Sequence, residues 1–285
     1  MIPTTGDTAA TWLHTERFAG TSATERRTAE QRLHHIRDCV LDGARIIPTD
    51  HVVDLGAGTG LLTLAALTRV GPHGYVTAVD QSGPALRSIR PSPGGGTLRC
   101  VVADAAKLPI PDATAHAVVT RSVLIYLEDL AGTIREAARI LKPGGRLSVF
   151  EPLNNRRHHD AELTGITAAE IQAINAAAAQ ATPAARTMTA FDAHVLIGHA
   201  ADAGFQVHPI TTDIVTTTMY TPDAVDTHLN RRPHPGAPTP LETVITALGE
   251  PFARRYRQAW HDAVERKPIT YTTPVLYLTA TARTH

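Results

Sequence analysis

Apolar positions keep one rhythm through the middle of the chain and lose it afterwards. Between Pro48 and Glu151, short runs rich in Val and Leu alternate with stretches whose apolar residues recur every three or four positions. Val52–Leu55, Tyr75–Val79, Leu98–Ala103, Ala115–Thr120 and Arg146–Phe150 predict five strands. Thr59–Val70, Pro84–Ile89 and Leu130–Leu141 predict helices between them, punctuated by Gly71-Pro72 and by Lys142-Pro143-Gly144-Gly145. The strands show no strict alternation, as expected where both faces are covered. Strands separated by helices pair in parallel through right-handed crossovers. The expected class is therefore α/β with a doubly wound, mostly parallel sheet.

The flanks read differently. Thr24–Ile47 predicts a helix with Leu33, Ile36, Val40, Ala44 and Ile47 on its apolar face, stopped by Pro48. Beyond Glu151 we expect helices over Ala168–Ala181 and Phe191–Ala203, the latter ended by Gly204. Phe205–Thr218 predicts a strand, Pro222–Leu229 and Leu241–Arg266 are helical, and Tyr271–Thr281 closes the chain as a strand. The Pro- and Gly-rich stretch from Arg231 to Pro238 is a loop, and the chain has no internal repeat.

Composition narrows the classes. The 285 residues carry 27 basic and 27 acidic side chains, which argues against a dedicated nucleic-acid or anionic-membrane binder. Cys39 and Cys100 are expected as buried thiols, with no disulfide framework and no metal site. The first twenty residues lack a basic region followed by an apolar one, and the alanine-rich run Ile171–Ala181 is too short to span a bilayer. A cytoplasmic protein with no membrane contact is expected. The 15 histidines make its charge sensitive to mildly acidic pH.

The chemistry is concentrated in Val52-Val53-Asp54-Leu55-Gly56-Ala57-Gly58-Thr59-Gly60, where a buried strand enters a glycine-rich turn and then a helix. Glycine allows a sharp turn and lets a ligand approach main-chain N–H groups. The spacing is G-x-G-x-G after an acid, with Leu61 in the sixth position, which weakens a dinucleotide reading. No Gly-Lys-Ser/Thr follows, which excludes a Walker loop.

With these residues in place, the segment resembles the first motif of class I S-adenosylmethionine (SAM)-dependent methyltransferases, and further matches follow in family order. Asp80 stands at the end of the second strand, 20 residues after Gly60. Asp104 follows the third strand. Ala117–Leu130 and Leu141–Glu151 resemble the fourth motif and the L-K-P-G-G-R-L hairpin. The resemblance implies a Rossmann-like seven-stranded sheet with N-terminal helices and a helical cap. It implies SAM as cofactor and S-adenosylhomocysteine as product, held by Asp54, Gly56, Ala57, Gly58, Thr59, Gly60, Asp80, Gln81, Asp104, Ala105, Arg121 and Ser122. Asp80 would accept the ribose hydroxyls, and Asp104 with the next N–H would contact the adenine. Arg121 and Ser122 would lie near the methionine end.

The expected organisation is a helical arm or lid over residues 1–47, with Trp12, Arg17 and Phe18 suited to fold over the cofactor. A SAM-binding core follows over 48–151. The remainder, 152–285, completes the sheet and carries cap insertions at 152–190 and 219–270 that would hold the acceptor. Candidate catalytic groups are Tyr126, His14 and His159, with His34 and His158 also considered as bases.

The chain shows no N/D-P-P-Y/F motif after the fourth strand, no Pro-Cys pair and no double-glutamate loop. The nucleic-acid and arginine-methylating types are disfavoured on that ground. The expected partner is a small, partly hydrophobic acceptor of secondary metabolism, and a homodimer is possible. A peptide methyltransferase, a NAD(P)-dependent oxidoreductase and a non-catalytic SAM-binding module stay open as alternatives.

Overall fold

The computed structural model describes residues 7–283, so the first six residues of the expected arm lie outside the described residues. The chain divides into two compact units. One, the sheet unit, comprises Ala29–Pro152, Phe191–Asp213 and the residues from Val275 onward. The other, the helical unit, comprises the residues up to Thr28, Leu153–Ala190 and Ile214–Pro274.

In the sheet unit, β1 (His51–Leu55), β2 (Tyr75–Asp80), β3 (Thr97–Val102), β4 (Ala115–Arg121) and β5 (Leu141–Pro152) pair in parallel in the order β3-β2-β1-β4-β5. A long final strand, Ile269–Ala282, pairs antiparallel with β5 over Val275–Thr281, and the short strand Phe205–Val207 pairs antiparallel with its end. The helices of this unit are Leu61–Val70, Gly83–Arg87, Leu130–Ile140 and Ala193–Asp202, with most of Ala23–Gly43. The strand order reverses between β2 and β4 on either side of β1. That reversal opens a crevice at the C-terminal strand ends, where α/β sheets bind ligands. β1 is buried along its whole length, with Val52 and Val53 fully enclosed.

The helical unit holds helices Ala168–Gln180, Pro183–Ala190, Pro222–Asn230, Pro240–Leu248 and Glu250–Arg266, and the two-residue strand His158–His159 paired with Tyr271 and Thr272. Thr167 and Glu170 form a reciprocal capping box, as do Thr239 and Glu242, so both helix starts are fixed by local sequence. Ile174, Val225, Leu229, Val244, Phe252, Tyr256, Trp260 and Ile269 make a core of their own. Among the described residues no helix is long and apolar enough to cross a membrane.

Several expectations need correction. The N-terminal helix ends at Gly43, and Arg45 two residues on turns to φ +48°, which no α-helix continues through. Ile47 is consequently exposed rather than on an apolar face. The expected strand Phe205–Thr218 breaks after Val207 and resumes as Thr211–Met219; Pro209 lies in the gap and has no N–H to give a ladder. With His158–His159, this split yields nine strands among the described residues instead of seven. The helix foreseen over 241–266 is broken by Gly249 at φ +83°. Helix Pro183–Ala190 was not foreseen at all. Neither cysteine is a buried thiol: Cys39 is half-buried on helix Ala23–Gly43, and Cys100 is exposed because β3 is the edge strand of the sheet.

Candidate functional site

The glycine turn is held from two sides. Gly56 N–H and Ala57 N–H both donate to Val79 O of β2, at 2.8 and 3.0 Å. Gly58 N–H donates to Asp80 Oδ2 at 2.8 Å, and Ser82 N–H donates to Asp80 Oδ1 at 2.8 Å. Asp80 therefore pins the turn to the tip of β2. One lone pair on each carboxylate oxygen stays available. Gly56, Gly58 and Gly60 all have positive φ, at 71°, 53° and 90°. At Gly56 and Gly60, however, the space a Cβ would take belongs to the protein itself. It would meet Val123 Cγ2 at 2.1 Å from Gly56 and Ile89 Cγ2 at 3.0 Å from Gly60. Packing, not ligand approach, demands glycine at those two positions.

Asp54 lies under the turn, 1% exposed, and accepts from Thr63 Oγ1 at 2.5 Å. Burial lifts its pKa to about 6, against the pull of the Thr63 hydrogen bond. Asp54 is thus a buried support of the turn. Gln81 is exposed beside Asp80, and Thr59 is half-buried. Asp104 is exposed; its Oδ1 accepts from Ala106 N–H at 2.9 Å, and Ala105 beside it is buried.

At the ends of β4 and β5 lies a residue the sequence reading did not single out. Glu151 is fully buried, and its Oε1 accepts from Val123 N–H and Leu124 N–H at 2.9 and 2.8 Å. Its Oε2 is buried without a partner, as is Thr120 Oγ1. Burial raises the Glu151 pKa to about 7, opposed first by those backbone N–H groups and then by Arg121. Arg121 ends β4 half-buried, and Ser122 follows at φ +54°, its N–H donating to Phe150 O at 2.9 Å. Burial pulls the Arg121 guanidinium below its usual range, opposed by Glu151, Tyr126 and Asp54 in that order. Tyr126 closes a 3₁₀ turn, Leu124–Tyr126, and is half-buried. The loop Ser122–Tyr126 is therefore shaped by Glu151, an acid on the next strand. An acid closing the apolar run Leu147–Phe150 was the available signal.

The other candidate bases stand elsewhere. His14 is exposed on the π-helical turn Trp12–Glu16 of the helical unit. His159 also belongs to the helical unit and is half-buried against Trp260, while His158 beside it is exposed. His34 is exposed on helix Ala23–Gly43, lining a groove of about 510 Å³ with Arg37, Leu64 and Arg69. Trp12 Nε1 donates to Arg232 O at 3.0 Å, and the Arg17 guanidinium stands over both Trp12 and Phe18. Among the described residues no group of three His, Cys, Asp or Glu side chains could hold a metal ion.

Comparison with known proteins bears on this geometry. Residues 53–149, which run from β1 through the glycine turn to β5, match the family model described as a methyltransferase domain. That stretch, about a third of the chain, is similar to a methyltransferase domain. It is 35% identical over 108 residues to a demethylmenaquinone methyltransferase of Symbiobacterium thermophilum, covering 36% of this chain and 43% of that one. It is 36% identical over 118 residues to the ubiquinone/menaquinone biosynthesis C-methyltransferase UbiE of Vibrio cholerae, covering 40% and 44%. The chain thus spans less than half the length of either relative. The YcgJ protein of Bacillus subtilis shares the fold at a TM-score of 0.57 and 16% identity, over 88% of this chain and 100% of that one.

A methyltransferase domain implies S-adenosylmethionine as cofactor, and the residues present fit it. A diol needs acceptors, and Asp80 keeps an open lone pair on each oxygen. A cationic group needs an acid, and Glu151 Oε2 is a buried acceptor with no protein partner.

Proposed function

We propose that this protein transfers the methyl group of SAM to a small, partly hydrophobic acceptor of secondary metabolism. The observation that carries the reading is the glycine turn tied to Asp80 through Gly58 N–H at the crevice where the strand order reverses. The relatives named for quinone biosynthesis support a small-molecule acceptor. When bound, SAM supplies an electrophilic methyl, so transfer is an in-line displacement and the protein's work is alignment in a dry site.

This chain's residues divide that work. Asp80 and the turn N–H groups would hold the adenosine part, with Gln81 beside them and Asp104 and Ala105 at the adenine. Arg121 and Ser122 would serve the methionine end, on a loop that Glu151 shapes. Glu151 is in this sense a positioning residue. Tyr126 is the candidate to receive a proton at its hydroxyl, and only if the acceptor must lose one. His14 and His159, in the helical unit, are the alternative bases.

A screen with methyl-labelled SAM against phenols, quinols, amines and short peptides tests the reading. Label transfer to a small aromatic or apolar acceptor is expected, and it should fall when Tyr126 is replaced by Phe if the acceptor is protic. Transfer only to peptides would overturn the acceptor class.

A further inference from the structure

At the start of β1, opposite the glycine turn, His51, Arg99, His116 and Lys142 gather beside Asp50. His116 lies on β4, and Lys142 stands on the hairpin stretch that begins β5. Asp50 Oδ2 accepts from Ile47 N–H at 2.9 Å. The His51 ring has both nitrogens engaged, Nδ1 3.3 Å from Thr114 O and Nε2 2.9 Å from Thr77 Oγ1. A carbonyl only accepts, so Nδ1 carries the His51 proton and Nε2 accepts from the threonine. Burial pushes His51 down to about 4, opposed by the Thr114 bond and helped by the positive groups His116, Lys142 and Arg99.

The neighbouring pair is short of a proton. His51 N–H donates to His116 Nδ1 at 2.8 Å, and His116 Nε2 lies 2.8 Å from Lys142 Nζ. A backbone amide keeps its hydrogen, so Nδ1 is bare and the ring proton sits on Nε2. Lys142 Nζ then meets an N–H, which only a lone pair can accept. An ammonium has none. Placing the proton on Nδ1 instead would set two N–H groups against each other at 2.8 Å. Asp50 does not rescue that arrangement, since its Oδ1 is 3.8 Å from Nδ1, beyond hydrogen-bond range.

The pair is open to reagents. The His116 side chain is 37% exposed, Lys142 is half-buried, and Pro143 and Gly144 beside it are exposed. A lysine attacks a carbonyl through its lone pair, the form that this geometry selects.

We propose that Lys142 is a modification site, an amine set by His116 for acylation by an acyl phosphate. Nζ attacks the carbonyl carbon and the N–C bond forms. The C–O bond to phosphate breaks, phosphate leaves with the bonding pair, and a proton of the amine passes to water. The amide nitrogen so formed accepts nothing, so the product loses the contact with His116 Nε2. None of this depends on the methyltransferase reading.

Lys107 and Lys267, the other two lysines of the chain, are exposed and serve as internal references. Exposure alone puts them ahead of Lys142. Trace labelling with isotopic acetyl phosphate, then complete acetylation in denaturant with ordinary reagent, gives the relative rate at each lysine by mass spectrometry. A free lysine is an amine in only about one molecule per thousand at about pH 7.5, so Lys142 should lead both references by about tenfold. The lead should vanish in guanidinium chloride and in His116→Phe. A rate at Lys142 equal to or below the references would overturn the proposal. So would a lead that survives unfolding, which would place its cause in the local sequence, or one that survives His116→Phe. If that variant does not fold, the folded and unfolded parent chain decide the matter alone.

Discussion

The two units bury opposite kinds of chemistry. Beneath its crevice the sheet unit encloses two carboxyls, Asp54 and Glu151, both held well above the usual carboxylate range. The helical unit packs His228 and His159 among aromatic rings and half-buries Arg231, and burial shifts all three toward losing their protons. The sheet unit does bury one histidine, His51, but at the far end of β1, stacked 4.0 Å from Tyr75 and bonded to Thr77. Burial penalises any charge, so each set survives only where partner groups offset the cost. That contrast is open to experiment.

The largest effect should come from Gly56→Val. It places a Cβ 2.1 Å from Val123 Cγ2 at a φ of +71°. Strain and overpacking together should cost roughly 3 kcal/mol of stability. Thermal unfolding should show it, and S-adenosylhomocysteine binding should be lost while the Trp260 signal of the helical unit persists. A variant as stable as the parent would mean the turn is wrongly described.

Removing an acid from the sheet unit separates support from charge. Folded Glu151 keeps its proton up to about pH 7, whereas the unfolded side chain loses it near 4.5. Its stabilising contribution is therefore complete below pH 4.5 and lost as pH rises through 7, a change on the order of 3 kcal/mol. Glu151→Gln removes the titration, so the stability difference between variant and parent should shift in the variant's favour across that window. A difference flat with pH would contradict the assignment. His51 and His228, each lowered to about 4, act on the acid side and cancel in the comparison.

Asp80→Ala strands Gly58 N–H and Ser82 N–H and removes the proposed ribose acceptor. S-adenosylhomocysteine binding should weaken by about 2 kcal/mol, the usual cost of unpaired donors. Unchanged affinity would remove Asp80 from the site. The smallest effect concerns thiols. Cys100 on the edge strand should react with a thiol reagent ahead of Cys39, which is half-buried beside His35. The reverse order would contradict the exposure of β3.

What the chain discloses on its own follows from how far each feature reaches. The glycine turn and Asp54 were legible because strand, turn and helix are contiguous, and Asp80 because it ends the very next strand. Glu151 was not, since its partners Val123 and Leu124 stand 28 and 27 positions away. Cys100 was misread because an apolar run does not tell an edge strand from a central one. The break at Gly249 was overlooked because apolar spacing continues across it, from Val244 to Phe252 and Tyr256. The ring cluster was missed because it draws on a two-residue strand, three separate helices or loops and the closing strand.

The central claim is that the glycine turn and Asp80 hold S-adenosylmethionine. Isothermal titration with S-adenosylhomocysteine, with NADH and NADPH as parallel ligands, tests it most directly. The account predicts binding of S-adenosylhomocysteine alone, weakened by Asp80→Ala. Binding of a nicotinamide nucleotide in its place would contradict it and make the turn a dinucleotide site.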